Sequence, residues 1–175
     1  HDSRPSFSSK RAAIRPVLER GGVVMVSTKA DAWVETPIVK IRGWCATCDG
    51  VRTSIRVGGT GPVIAFADAD GPSIASFDGI TWTTGSLPGD GGYGISLTLD
   101  KGGAPLVSYV TRSGTITVAQ ADGDRWTFVE AGSMKLSVSG LIATGIAVDD
   151  NGTRYVTWYD TGTKSVKLAT YKGGG

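Results

Sequence analysis

The feature that most constrains this chain is a repeat of roughly 45 residues. Trp33, Trp82 and Trp126 each follow a polar or glycine-containing turn: Lys29-Ala30-Asp31-Ala32, Asp78-Gly79-Ile80-Thr81 and Asp122-Gly123-Asp124-Arg125. These tryptophans are 49 and 44 residues apart. A second marker runs in phase with the first: Ala13-Ile14-Arg15-Pro16-Val17, Pro62-Val63-Ile64-Ala65-Phe66, Pro105-Leu106-Val107-Ser108-Tyr109 and Arg154-Tyr155-Val156-Thr157-Trp158, whose last positions are 49, 43 and 49 apart. Two features that keep step to within one residue argue for structural repeats. Each unit is then one supersecondary element that must stack on its neighbours to bury its apolar surface.

The segment from Gly94 to Trp126 shows the plan of one unit. Ile95, Leu97 and Leu99 alternate, Asp100-Lys101-Gly102-Gly103 turns, and Leu106 to Val110 follows. Arg112-Ser113-Gly114 turns again, Ile116 and Val118 alternate, and Asp122-Gly123 leads into Trp126-Thr127-Phe128-Val129. Period-two alternation between Asp/Gly turns predicts four short antiparallel strands. The next unit repeats the plan with Ile146-Ala147-Val148, Tyr155 to Tyr159 and Val166 to Tyr171. The 26 glycines and a charged fraction of only 19% suit many strands joined by tight turns. Lys10 to Arg20 is the nearest approach to a helical pattern, and Pro16 interrupts it. The expectation is an all-β chain of the β-propeller type in one domain, 1–175. Four repeats of four-stranded blades fall at approximately 5–43, 50–88, 94–131 and 145–175. The last repeat stops at Gly173-Gly174-Gly175 before its Trp-bearing outer strand. An unfinished blade leaves an open row of backbone donors and acceptors, so a further stretch of chain or another protein is expected to complete it.

These residues resemble the short-repeat propellers of bacterial secreted proteins and lipoproteins. Leu97 to Trp126 and Ile146 to Lys172 carry the likeness well, and Pro62 to Trp82 more loosely. Ser76-Phe77-Asp78-Gly79-Ile80-Thr81-Trp82 is similar to the Asp-box turn of sialidase-like propellers, one residue short. The resemblance implies that the Asp and hydroxyl groups satisfy turn amides and that the Trp packs between blades. That is an architectural role, and a shared superfold does not fix function.

Charge narrows the partners. With 18 basic and 16 acidic residues the net charge is +2, and no run of Lys or Arg could track a phosphate backbone, so nucleic acid is not expected. No apolar run approaches the roughly 20 residues that a membrane-spanning helix needs. The chain begins His1-Asp2-Ser3 without Met, which points to a processed form or part of a longer product. Together with the cysteine pair and the repeat type, this places the protein outside the cell or in the periplasm.

Candidate chemistry is sparse. Trp44-Cys45-Ala46-Thr47-Cys48 has thioredoxin-type spacing, but Asp49-Gly50 opens a turn and Val51 to Val57 reads as a strand, so no helix N-terminus lowers a thiol pKa. Cys45 and Cys48 are instead candidates for a structural disulfide. His1 is the only histidine, which excludes a two-histidine copper site, a buried catalytic triad and a zinc site completed by histidines. Asp68-Ala69-Asp70-Gly71 and Asp149-Asp150-Asn151-Gly152 are rich enough in oxygen for calcium, yet lie where hairpin turns favour the same residues. Arg15, Arg56, Arg112 and Arg154 are read as surface arginines rather than the cluster of a sialidase-like site. Tyr93, Tyr109, Tyr155, Trp158 and Tyr159 are expected to pack between blades, with sugar stacking the alternative for any of them. No catalytic residue and no cofactor are implied. The expectation is a non-catalytic, protein-binding accessory or scaffold subunit, with a carbohydrate-binding propeller as the alternative and a glycosidase remnant third.

Overall fold

The computed structural model describes residues 22–29, 32–40, 52–136 and 142–172. Among them the chain is all β: β1 (Gly22–Lys29), β2 (Ala32–Lys40), β3 (Thr53–Val57), β4 (Pro62–Ala67), β5 (Pro72–Phe77), β6 (Trp82–Ser86), β7 (Tyr93–Leu99), β8 (Pro105–Val110), β9 (Thr115–Asp122), β10 (Arg125–Ser133), β11 (Thr144–Val148), β12 (Thr153–Asp160) and β13 (Ser165–Lys172). They form four antiparallel meanders: the hairpin β1-β2, four-stranded sheets β3-β4-β5-β6 and β7-β8-β9-β10, and the three-stranded sheet β11-β12-β13.

Aspartates make the tight turns. Asp68 Oδ1 accepts the amides of Asp70 and Gly71 at 2.9 and 3.1 Å. Asp100 Oδ1 accepts those of Gly102 and Ala104 at 2.9 and 2.8 Å. Asp149 Oδ1 accepts those of Asn151 and Thr153 at 2.9 and 2.8 Å, while its Oδ2 accepts the Tyr155 hydroxyl at 3.0 Å. Each carboxylate thus supplies the acceptor that the reversed backbone lacks. The loops considered for calcium, at Asp68 and Asp149, use these oxygens on their own turns. The Asp-box-like turn follows suit: Asp78 Oδ1 takes the Ile80 and Thr81 amides at 2.8 and 2.7 Å.

The sheets pack face to face, and their register explains how. Ile64 lies opposite Ala75, Val107 opposite Ala119 and Val156 opposite Ala169, so these three pairs occupy one position in successive sheets. Each faces the preceding sheet. Ile64, Phe66 and Ala75 pack with Ile38 and Val39 of β2. Val107, Tyr109 and Ala119 pack with Val63, Ala65 and Ile74. Val156 and Trp158 pack with Leu106, Val110, Ile116 and Val118. Because strand residues alternate between faces, a strand buried on both sides reads as a continuous apolar run, as in Val63-Ile64-Ala65-Phe66 and Leu106-Val107. Trp82 and Trp126 flank the first and second clusters, between sheets, as the Asp-box likeness implies. Trp33 lies in β2.

Polar links fix the spacing of the innermost strands. The Leu97 amide donates to Ser54 Oγ at 3.0 Å, joining β7 to β3. Thr144 Oγ1 donates to the Gly94 carbonyl at 2.6 Å. Its single proton is then committed, so the buried Ser108 hydroxyl, 2.7 Å away, donates to Thr144. This close approach requires glycine: at Gly94, with φ of +60°, an added Cβ would lie 2.7 Å from Ala143 Cα. Gly103 has a similar φ of +85° but open space around it. Gly103→Ala is therefore expected to cost only the left-handed penalty of about 1–2 kcal/mol. Gly94→Ala should cost clearly more, because a backbone contact must also give, and urea unfolding of the two variants measures the difference.

Asp160 provides a second test. Its carboxylate is buried, with Lys167 Nζ 2.6 Å from Oδ2. Lys167, then Thr163 Oγ1 at 2.9 Å and the Gly162 amide at 3.0 Å, hold its pKa down to about 2. Amides of Thr81 and Thr153 lower Asp78 and Asp149 in the same direction. A carboxyl depressed in the folded state stabilises above its ordinary pKa of 3.8 and loses that contribution as pH falls toward 2. The thermal midpoint should fall between pH 4 and 2, and Asp160→Asn should remove part of that dependence while lowering the midpoint at neutral pH.

Candidate functional site

At one edge of the interface between the third and fourth sheets the side chains leave a cleft of about 110 Å³. Its floor is apolar, made by Val118 of β9, Val156 of β12 and Ala169 of β13. Its rim carries Glu130 from β10 and Arg154 and Tyr171 from β12 and β13. Strand register accounts for this arrangement. Arg154 lies directly opposite Tyr171, and Val156 opposite Ala169 two residues further in, so all four share the face turned to the third sheet. On the other wall the pairing shifts between Glu130 and Gly132, a β-bulge. The bulge breaks the alternation, so that Val129, Glu130 and Ala131, three successive residues, all line the cleft.

The Arg154 guanidinium carbon sits 5.2 Å from the centroid of the Tyr171 ring, a cation–π stack. Tyr171 stays 45% exposed. Among the described residues the salt bridge joins Lys167 to Asp160, and neither Arg154 nor Glu130 takes part in one. The rim therefore presents a guanidinium with donors in a planar fork, a carboxylate that only accepts, and an accessible aromatic ring.

This combination occurs once among the described sheets. Between the second and third sheets, Pro105 stands at the position of Arg154 and Ala121 at that of Tyr171, by the same pairing register. Ser86, four residues after Trp82, stands where Glu130 follows Trp126.

Of the arginines singled out in the sequence, Arg56 donates to the Ile55 carbonyl at 2.8 Å and Arg112 to the Ala69 carbonyl at 3.4 Å, while Arg154 covers Tyr171. They lie on or beside three different sheets with three different partners. Arg15, His1, Cys45 and Cys48 lie outside the described residues. Tyr109 and Trp158 are buried between sheets and Tyr93 is packed against the same cluster as Trp158, as expected. Tyr109 donates to the Pro88 carbonyl at 2.8 Å, and burial together with the Asp90 charge pushes its pKa to about 12. Tyr155 is committed to Asp149, and Tyr159 is exposed. Sequence reasoning missed Glu130 and Tyr171. A signal for Tyr171 was available, since counting across the Thr161-Gly162-Thr163 turn sets it opposite Arg154, but the bulge that admits Glu130 has no such mark.

No family model matches the chain, and no curated protein does. Among solved structures, a fucose lectin from Kordia zhangzhouensis in complex with methyl-fucoside is similar over 70% of this chain and 94% of that one, with 18% identity and a TM-score of 0.47.

The rim is expected to contribute little to folding. An exposed cation–π pair contributes about 0.5–1 kcal/mol, so Arg154→Ala and Tyr171→Ala should each lower unfolding stability by no more than about 1 kcal/mol. Denaturation of purified variants checks this.

Proposed function

We propose that the sheets are blades of a β-propeller and that the cleft between the last two binds a single sugar ring without transforming it. The observation that carries this reading is the Glu130, Arg154 and Tyr171 rim above an apolar floor. A pyranose has a face of C–H groups, which an exposed aromatic ring can cover, and an edge of hydroxyls that both donate and accept. Arg154 offers only donors and Glu130 only acceptors, so together they bracket neighbouring hydroxyls of one ring with charge-assisted bonds. The cleft is far smaller than the roughly 300–1,000 Å³ that holds a drug-sized molecule, which suits one ring with the rest of a glycan in solvent. Glu130 is the one carboxylate lining it, whereas glycoside hydrolysis ordinarily uses a pair. A binding role follows, in a protein exported to where free glycans occur. The accessory-subunit reading has separate support from the open face of the fourth sheet, described below.

With so few polar contacts a monosaccharide should bind with a Kd of about 1 mM, near −4 kcal/mol. Titration calorimetry against a panel of neutral and acidic monosaccharides, backed by a glycan array, provides the test. Arg154→Ala, Glu130→Gln and Tyr171→Ala are each expected to weaken binding at least about tenfold while leaving the fold intact. Absence of binding across the panel and array would rule the proposal out, as would binding that these three substitutions leave unchanged.

A further inference from the structure

The fourth sheet buries one face and leaves the other open. Its open face holds Val166 and Leu168 of β13, 75% and 61% exposed, beside the exposed Tyr159 of β12. Val166 lies opposite Tyr159 and Leu168 opposite Thr157 across the β12–β13 ladder, so these side chains form one patch.

Register identifies the same positions in the preceding sheets. Counting back from the equivalent residues Ala75, Ala119 and Ala169, Leu168 corresponds to Ile74 and Val118, and Val166 to Pro72 and Ile116. All four counterparts are buried. On the second strand Tyr159 corresponds to Val110, which is fully buried, and Thr157 to the buried Ala65 and Ser108. In the second and third sheets the following sheet covers these positions: Val63, Ala65 and Ile74 meet the third sheet, and Leu106, Ile116 and Val118 meet the fourth. The fourth sheet therefore presents the leading surface of an interface that the chain builds twice, with its covering half missing.

The covering surface is also known from register. It is the opposite face of a sheet, marked by Phe66 and Ala75, Tyr109 and Ala119, or Trp158 and Ala169. In the second, third and fourth sheets that face is already packed against the preceding sheet. The first described sheet, β1-β2, uses Ile38 and Val39 of β2 to cover the second. Its own chain's first sheet does not cover Val166 and Leu168, which stay exposed. We infer that the open face of β12 and β13 docks the first sheet, β1-β2, of a second copy of this chain. The contact is heterologous, head to tail, and continues the stacking seen inside one chain.

Native mass spectrometry and light scattering of the full chain across a dilution series test this. The expected result is a dimer or larger head-to-tail assembly that dissociates on dilution. The double variant Val166→Asp/Leu168→Asp should be monomeric at every concentration. Ile80→Asp, which changes another exposed apolar residue in the β5–β6 turn, should associate like the wild type. If the double variant does not fold, hydrogen exchange of the wild type decides: amides of β13 should gain protection as concentration rises. A wild type that is monomeric throughout would overturn the inference, leaving further sequence or an unrelated protein as the occupant. So would assembly that survives both aspartates, or β13 exchange independent of concentration.

Discussion

Each sheet in this chain has two apolar faces, and everything else depends on that. A meander of three or four short strands with Val, Ile, Leu and aromatic side chains on both sides cannot bury them by itself. It is stable only between two others. Phe66, Tyr109 and Trp158 pack backward while Val63, Leu106 and Ile116 pack forward, and this two-sided demand stacks the sheets in chain order. The buried Ser108–Thr144–Gly94 relay then sets how closely the inner strands approach. A hydroxyl chain can be buried there because each member finds a partner and the last acceptor is a backbone carbonyl.

Much of this was legible in the residues. Alternation in Ile95-Leu97-Leu99 and in Ile116-Val118 marked strands because side-chain period in a sheet is fixed at two, and the aspartate-glycine turns marked where strands reverse. The second-strand motif marked the stacking too, since an unbroken apolar run such as Pro62 to Phe66 makes sense only if both faces are covered. The expected strand from Val51 to Val57 is described as Thr53–Val57. The cleft was much less legible. Arg154 looked like one of several surface arginines, because its meaning depends on Tyr171, seventeen residues later across a turn. Glu130 reaches the cleft through a bulge, and a bulge is a departure from the period by which sequence is read.

The site and the repeat differ in kind. Repetition serves packing, and the positions that must fill an interface carry the same residue classes in successive sheets. The cleft uses positions that packing leaves free at the outer end of the ladder, where Pro105 and Ala121 in one sheet give way to Arg154 and Tyr171 in the next. Chemistry can vary there because the cost to stability is small. A scaffold of this type can thus carry one distinct site, at a single interface, without altering how its sheets stack.

The central claim is that this one cleft recognises a sugar ring through Glu130, Arg154 and Tyr171. Titrating isotope-labelled protein with a monosaccharide that binds, and following backbone and Arg side-chain NMR signals, tests it most directly. The account predicts shifts concentrated at Arg154 Nε and in the backbone of β10, β12 and β13 around Glu130 and Tyr171. Shifts confined to the interface of the second and third sheets, or to the turns at the opposite end, would contradict it.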